Sequence, residues 1–307
     1  MRALRRLVSP TYLRVDPVRD PARSVLLLGS PRSGTTKLAE VLASARTTRL
    51  VFEPMQPRSP YRPRRFVAGR YRPPDAEDPE LLAAWQRILA GRVRGSWVDA
   101  RNRSRISTHR VVKCVAANNL ASWLRHHFPA TPIVYVYRHP VAVARSLATL
   151  RRTRAEWALG GVEGAEWVLR RSGLLDGPLA DRADDVRRLV GSLTTDFEGD
   201  VVRWCLHNAC PLTQPPGSGF LTVRHEDFLD DPEAMIDRMG RFTGLDVRRG
   251  RREADRPSST DWTRSAADGG VTRTDRREGW RQRVDPRDQA TAMEIVRVFG
   301  LEQYVDP

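Results

Sequence analysis

Residues 24 to 54 read SVLLLGSPRSGTTKLAEVLASARTTRLVFEP, and the order of residue types in them already sets an architecture. Val25, Leu26, Leu27 and Leu28 form a short continuous apolar run, the pattern of a strand buried on both faces. Gly29, Ser30 and Pro31 interrupt it, and Thr35, Thr36, Leu38, Ala39, Val41 and Leu42 then recur at helical spacing. A strand, a turn of small residues and a helix make an anion site, because the first amides of the helix have no partner within it. The helix dipole adds positive potential at the same place. Ser33, Thr35 and Thr36 bring hydroxyl donors, and Arg32 brings a planar cation suited to bidentate contact with an oxyanion.

Gly29 and Gly34 match the two glycines of the nucleotide-binding pattern G-x-x-x-x-G-K-[ST]. Thr35 stands where that pattern has its lysine, and Lys37 comes two residues later. Without the lysine a kinase or ATPase loses the cation that neutralises the outer phosphates of a triphosphate. The plain alternative is a glycine-containing turn with no ligand. The stretch resembles the 5′-phosphosulfate loop of sulfotransferases, P-[KR]-S-G-T-T, and Pro31-Arg32-Ser33-Gly34-Thr35-Thr36 fills every position of it.

A second constellation lies about a hundred residues on. Tyr135 to Tyr137 end a β-type run, Arg138-His139-Pro140 halts it, and Ser146 follows eight residues after Arg138. An arginine leaving a strand and a serine near a helix start can share one phosphate. The spacing is similar to the sulfotransferase pattern R-[DH]-P-x-x-x-x-x-S. The resemblance implies that Arg138 and Ser146 bind the 3′-phosphate of the donor, 3′-phosphoadenosine 5′-phosphosulfate (PAPS). A third match runs through Arg224-His225-Glu226-Asp227-Phe228, Asp231-Pro232 and Phe242-Thr243-Gly244-Leu245, with His225 in place of the usual tyrosine. It places Arg224 on the nucleotide pocket, while Glu226 and Asp227 read equally well as caps of the next element. The tail, from Trp280-Arg281 to Leu301, also resembles the family's closing segment.

Sulfuryl transfer depends on position and electrostatics, as phosphoryl transfer does. The resemblance assigns Arg32 to the charge that grows on the bridging oxygen and 5′-phosphate. Arginine does not readily give up a proton, so that role is electrostatic. Family members acting on phenols carry a histidine two residues past a strand lysine; Lys113 matches the lysine, but Val115 fills the histidine position. Glu53, at the end of the second strand and followed by Pro54, is then the candidate general base, as in carbohydrate-directed members. Its alternative is a carboxylate that pairs with Arg32 to hold the loop. Lys113 is expected to steady the sulfuryl group or to sit in an ion pair, and Lys37 to lie beside the adenine.

Alternating strands and helices predict a three-layer α/β fold with a central parallel sheet, in one domain spanning 1–307. Strands are expected near 24–28, 50–52, 110–114, 133–137 and 219–223, a long loop over 54–80, and an exposed loop over 246–279. Regions 54–105 and 151–210 read as substrate-binding or lid segments, and 1–23 as an irregular lead-in. The net charge of +15 favours anionic partners, yet 50 of the 52 cations are arginine, spread along the chain, with no zinc-finger or RNA-binding signature. Nucleic acid is therefore the weaker partner class, although a basic polyanion binder stands beside a P-loop kinase as a rival reading. Cys114, Cys205 and Cys210 give no even disulfide framework, which points to a reducing, cytoplasmic setting. No metal spacing is present, and no stretch reaches the ~20 apolar residues that span a bilayer. Leu4, Leu7 and Val8 beside Arg2, Arg5 and Arg6 could touch a membrane surface; a frayed terminus is the simpler reading. The acceptor implied by the Arg32 loop and the Glu-Pro pair is a hydroxyl on a carbohydrate or glycosylated metabolite.

Overall fold

Five strands, β1 (Ser24–Gly29), β2 (Thr48–Phe52), β3 (His109–Cys114), β4 (Ile133–Tyr137) and β5 (Phe220–Arg224), form one sheet in the order β2-β3-β1-β4-β5. Every pairing is parallel, with Leu27 opposite Lys113 on one side and opposite Val134 on the other. The computed structural model describes residues 15–57, 59–153, 160–214, 219–256 and 277–305. The Arg-rich start at residues 2 to 8 and most of the expected exposed loop, 257–276, lie outside them.

The helices are α1 (Thr35–Leu42), α2 (Pro79–Leu89), α3 (Ala121–His127), α4 (Pro140–Thr153), α5 (Gly161–Ser172) and α6 (Ala183–Gly191). They continue as α7 (Asp196–Leu212), α8 (His225–Asp230), α9 (Pro232–Thr243), α10 (Gly250–Ala254) and α11 (Pro286–Val298). Strand alternation sorts the core into two layers. Val25 and Leu27 of β1 pack with Leu38 of α1 and Ile236 of α9, whereas Leu26 and Leu28 face a larger cluster with Trp85, Trp123, Leu206 and Ile295. The central strands are apolar throughout because both faces are covered. Short α8 and α10 carry too few residues to show a helical period, and so were not among the expected elements. Among the described residues, no helix is long and apolar enough to cross a membrane.

Two features of this frame matter for function. From β1 the chain moves outward to β2, while β4 leads the other way to β5, so the topology reverses between β1 and β4. In open α/β sheets the crevice at the carboxyl ends of such strands is where ligands bind. At the amino ends, by contrast, a charge cluster is sealed inside the protein. Arg110 Nη1 donates to Asp16 Oδ1 at 2.7 Å and Arg49 Nε to Asp99 Oδ1 at 2.9 Å, with both arginines 1% exposed or less.

Candidate active site

The loop after β1 is shaped by what each residue lets the backbone do. Gly29 adopts φ +153°, and a Cβ there would stand 2.3 Å from the Val136 carbonyl oxygen, so only glycine fits against β4. Its N–H donates to Asn118 Oδ1 at 3.0 Å. The Ser30 and Ser33 hydroxyls bond each other at 2.7 Å across the turn. Arg32 and Gly34 are both left-handed, with φ of 68° and 81°, a conformation uncommon for arginine. Gly34 is the N-cap of α1 and supplies no side-chain bond, so the first amides of α1 remain directed at the mouth of the crevice. Ser33, Thr35 and Thr36 are buried within this turn.

The second constellation meets the first here. Arg32 Nε donates to Ser146 Oγ at 2.9 Å, and Arg138 Nη1 reaches the Arg32 carbonyl at 3.5 Å. Trp204 of α7 holds the Arg138 carbonyl through its indole N–H at 2.8 Å. Burial pushes the Arg138 pKa down; Glu226 opposes that fall, and the neighbouring Arg32 and Arg145 charges add to it. The direction reports burial first and neighbouring positive charge second, and a guanidinium stays protonated. His139, next along, stacks on Trp280 with ring centroids 4.1 Å apart. Burial first, then the charges of Arg281, Arg224 and Arg138, push its pKa down to about 3, so its ring is neutral near neutral pH.

Glu53 and Lys113 lie on the other side of β1. Glu53 ends β2 in a left-handed conformation, φ 47°, and is 4% exposed. Its Oε1 accepts the Lys113 ammonium, and its Oε2 accepts the Val115 N–H at 3.0 Å. Trp97 donates its indole N–H to the Glu53 carbonyl at 3.1 Å, which fixes the turn. The partner of Glu53 is thus Lys113 and not Arg32, because β3 stands between β2 and β1 and separates them by two strand spacings, about 10 Å. The residue that occupies the histidine position of phenol-directed relatives, Val115, contributes its backbone instead of a side chain.

Lys37 and Arg224, the other two expected donor contacts, have protein partners in this structure. Lys37 turns away from the loop and its ammonium donates to the Glu253 carbonyl, pinning α1 to α10. Arg224 donates to the Val305 carbonyl at 2.7 Å and so ties the chain's closing segment to the end of β5. Neither meets Arg32 or Ser146 through a described contact. Asn118, Trp204 and Glu226 complete the site without having been singled out for it. Asn118 and Trp204 carry no local signal, but Glu226 stands two residues after an arginine at a strand end, which is a usable one. Among the described residues no group of three His, Cys, Asp or Glu could hold a metal ion.

Comparison with known proteins gives the family. The family model described as the sulfotransferase family matches residues 24–249, most of the chain, from β1 past α9. The chain belongs to the sulfotransferase family, whose members move sulfuryl groups. No curated protein matches it. Among solved structures, the sulfotransferase domain from the Synechococcus PCC 7002 olefin synthase is 15% identical over 93% of this chain and 96% of that one, with a TM-score of 0.45. The sulfotransferase domain from the curacin biosynthetic pathway is 14% identical, covers 92% and 97%, and scores 0.46. A sulfotransferase from Alicyclobacillus acidocaldarius is 14% identical, covers 92% and 94%, and scores 0.42. Each is a likeness at low identity, and none identifies a residue here.

Proposed function

We propose that the chain is a single-domain enzyme that transfers a sulfuryl group from PAPS to an acceptor hydroxyl on a carbohydrate or glycosylated metabolite, in a reducing compartment such as the cytoplasm. The observation that carries this reading is the meeting of Arg32 with Ser146, at 2.9 Å, beside Arg138. Two phosphate-type turns far apart in sequence converge at the β1/β4 switch point, as a ligand with separate 5′ and 3′ anionic groups requires. The residues present fit that ligand. Ser33 to Thr36 with the first amides of α1 would hold the 5′-phosphosulfate, and Arg138 with Ser146 the 3′-phosphate. The donor supplies the activated sulfuryl group.

In this reading Arg32 balances the negative charge that gathers on the bridging oxygen, without acting as an acid. Glu53 takes the proton of the acceptor hydroxyl. Its carboxylate has about four lone-pair sites, of which Lys113 and the Val115 N–H use two, so a third partner can approach while those two keep it aimed. Lys113 in turn keeps a positive charge near the departing sulfuryl oxygens. Acceptor specificity is assigned to residues 54–105 and 151–210. The engagement of Lys37 with Glu253 argues against the kinase reading, since it leaves the loop without a lysine for a γ-phosphate.

Thermal stability with adenosine 3′,5′-bisphosphate, then with ATP and Mg²⁺, tests the reading. A ligand at a hundredfold its dissociation constant adds about 2.7 kcal/mol. We expect the bisphosphate to raise the melting temperature by several degrees and ATP with Mg²⁺ to do much less; the reverse result would move the protein to the kinases. Replacing Glu53 with Gln should lower turnover by about 10²- to 10⁴-fold, the range of a lost general base, while bisphosphate binding stays as it was. Full turnover in that variant removes Glu53 from the mechanism.

A further inference from the structure

Glu226 is a carboxylate with more neighbours than a helix cap needs. It lies in the first turn of α8, where an acidic residue is favourable for the dipole alone. Its bonds, however, leave the helix. Oε1 accepts the His139 N–H at 3.1 Å, from the junction of β4 with α4, and lies 4.0 Å from Arg138 Nε. Oε2 lies 3.5 Å from Arg224 Nε, in contact but accepting no hydrogen bond among the described residues. Only 5% of the residue is exposed. One buried carboxylate therefore stands between the arginine assigned to the 3′-phosphate and the arginine that anchors the closing segment at Val305.

We propose that Glu226 is a positioning residue for the donor's 3′-phosphate: its charge holds the Arg138 guanidinium between the end of β4 and the end of β5, beside the Arg32 turn. The inference rests on the donor reading above. The physical argument turns on sign. A negative charge beside an anion site weakens anion binding by Coulomb repulsion, more so where water is excluded. A carboxylate is tolerated there only if it contributes geometry. Arginine's fork binds a phosphate well only when its plane is correctly set. Glu226 draws the guanidinium to its side by charge, at 4.0 Å from Nε and without a hydrogen bond there, while Nη1 donates to the Arg32 carbonyl at 3.5 Å, so the arginine is tethered to both phosphate-type turns. The bond from Glu226 to the His139 N–H, at the strand end itself, keeps the carboxylate from following the guanidinium if it rotates.

Electrostatics alone and positioning thus predict opposite results for Glu226→Gln. That substitution removes the charge and retains an oxygen for the His139 N–H, so it should fold. The experiment measures dissociation constants of the full-length protein for adenosine 3′,5′-bisphosphate and for adenosine 5′-monophosphate, which lacks the 3′-phosphate. We expect the unmodified protein to prefer the bisphosphate by tenfold or more, and Glu226→Gln to lose most of that preference through weaker bisphosphate binding, the monophosphate being unaffected. Glu226→Asp, which keeps the charge but withdraws it, should fall between the two. In turnover assays the loss should appear in the KM for the donor and not in kcat. Unchanged or tighter bisphosphate binding by Glu226→Gln overturns the inference while leaving the donor reading intact, and should Glu226→Gln not fold, a full preference in Glu226→Asp overturns it equally. If the unmodified protein shows no preference, the donor reading itself fails and the inference falls with it.

Discussion

The two ends of the sheet each hold arginines away from water, and they treat them differently. At the amino ends, Arg49 and Arg110 meet Asp99 and Asp16 in close, hydrogen-bonded ion pairs, further donors go to the Ser24 hydroxyl and to backbone carbonyls, and Arg19 and Arg94 lie near enough to add positive charge. At the carboxyl ends, Arg138 and Arg224 share Glu226 among the described residues, with Arg32 and Arg145 close enough to depress the Arg138 pKa further. A buried ion pair that is matched inside the fold serves to hold the chain. One whose guanidiniums stand 3.5 to 4.0 Å from a shared carboxylate returns less for its desolvation. The difference is one of pairing geometry: close directional pairs at one end, longer contacts to one shared carboxylate at the other.

The comparison can be broken by substitution at either end. Arg110→Met leaves Asp16 buried without its strongest partner, and we expect a loss of about 3–5 kcal/mol in denaturant unfolding with the ratio of bisphosphate to monophosphate affinity unchanged. Arg138→Ala should do the opposite. Bisphosphate affinity falls by roughly tenfold to a hundredfold, the equivalent of one lost charge-assisted bond of about 1.5–3 kcal/mol, while unfolding stability moves by less than about 1 kcal/mol. Equal stability losses at both sites would erase the distinction. The smallest expected effect is in pH. His139 after the end of β4 and His207 in α7 are pushed down to about 3, burial being the largest cause, so each is neutral in the fold and takes up a proton near pH 6.5 only when unfolded. Their contribution is complete above pH 6.5 and is lost as pH falls from 6.5 towards 3, by at most about 1.4 kcal/mol per pH unit for each. Urea midpoints measured across that window should fall with acid, and His139→Gln should flatten the slope.

Most of the fold is legible in the sequence because its signals are strong and local. The run from Val25 to Leu28 reads as a doubly buried strand for the same reason that it becomes one, and Pro79, Pro140 and Pro286 sit in the first turns of helices. The convergence of Arg32 with Ser146 follows only once strand order is known, and strand order depends on which faces pack, which no spacing reports. Lys37 shows the same gap. Its position two residues past the loop says nothing about which side of α1 it leaves from, and that side leads to Glu253. Glu53 was legible as a residue of interest through its place at a strand end, but its partner was decided by β3 standing between β2 and β1.

The reversal of topology between β1 and β4 has one more consequence. The tip of the loop after β1 is held by a contact close in sequence, between the Ser30 and Ser33 hydroxyls. Arg138 and Ser146 reach it only after the 106 residues from Arg32 to Arg138 have been threaded through β2 and β3 and β4 has docked beside β1. Parallel pairings of such separation are slow to close. Under the donor reading proposed above, a chain halted before that docking holds only one of the two turns, and tight bisphosphate binding is a certificate that β4 has taken its place beside β1.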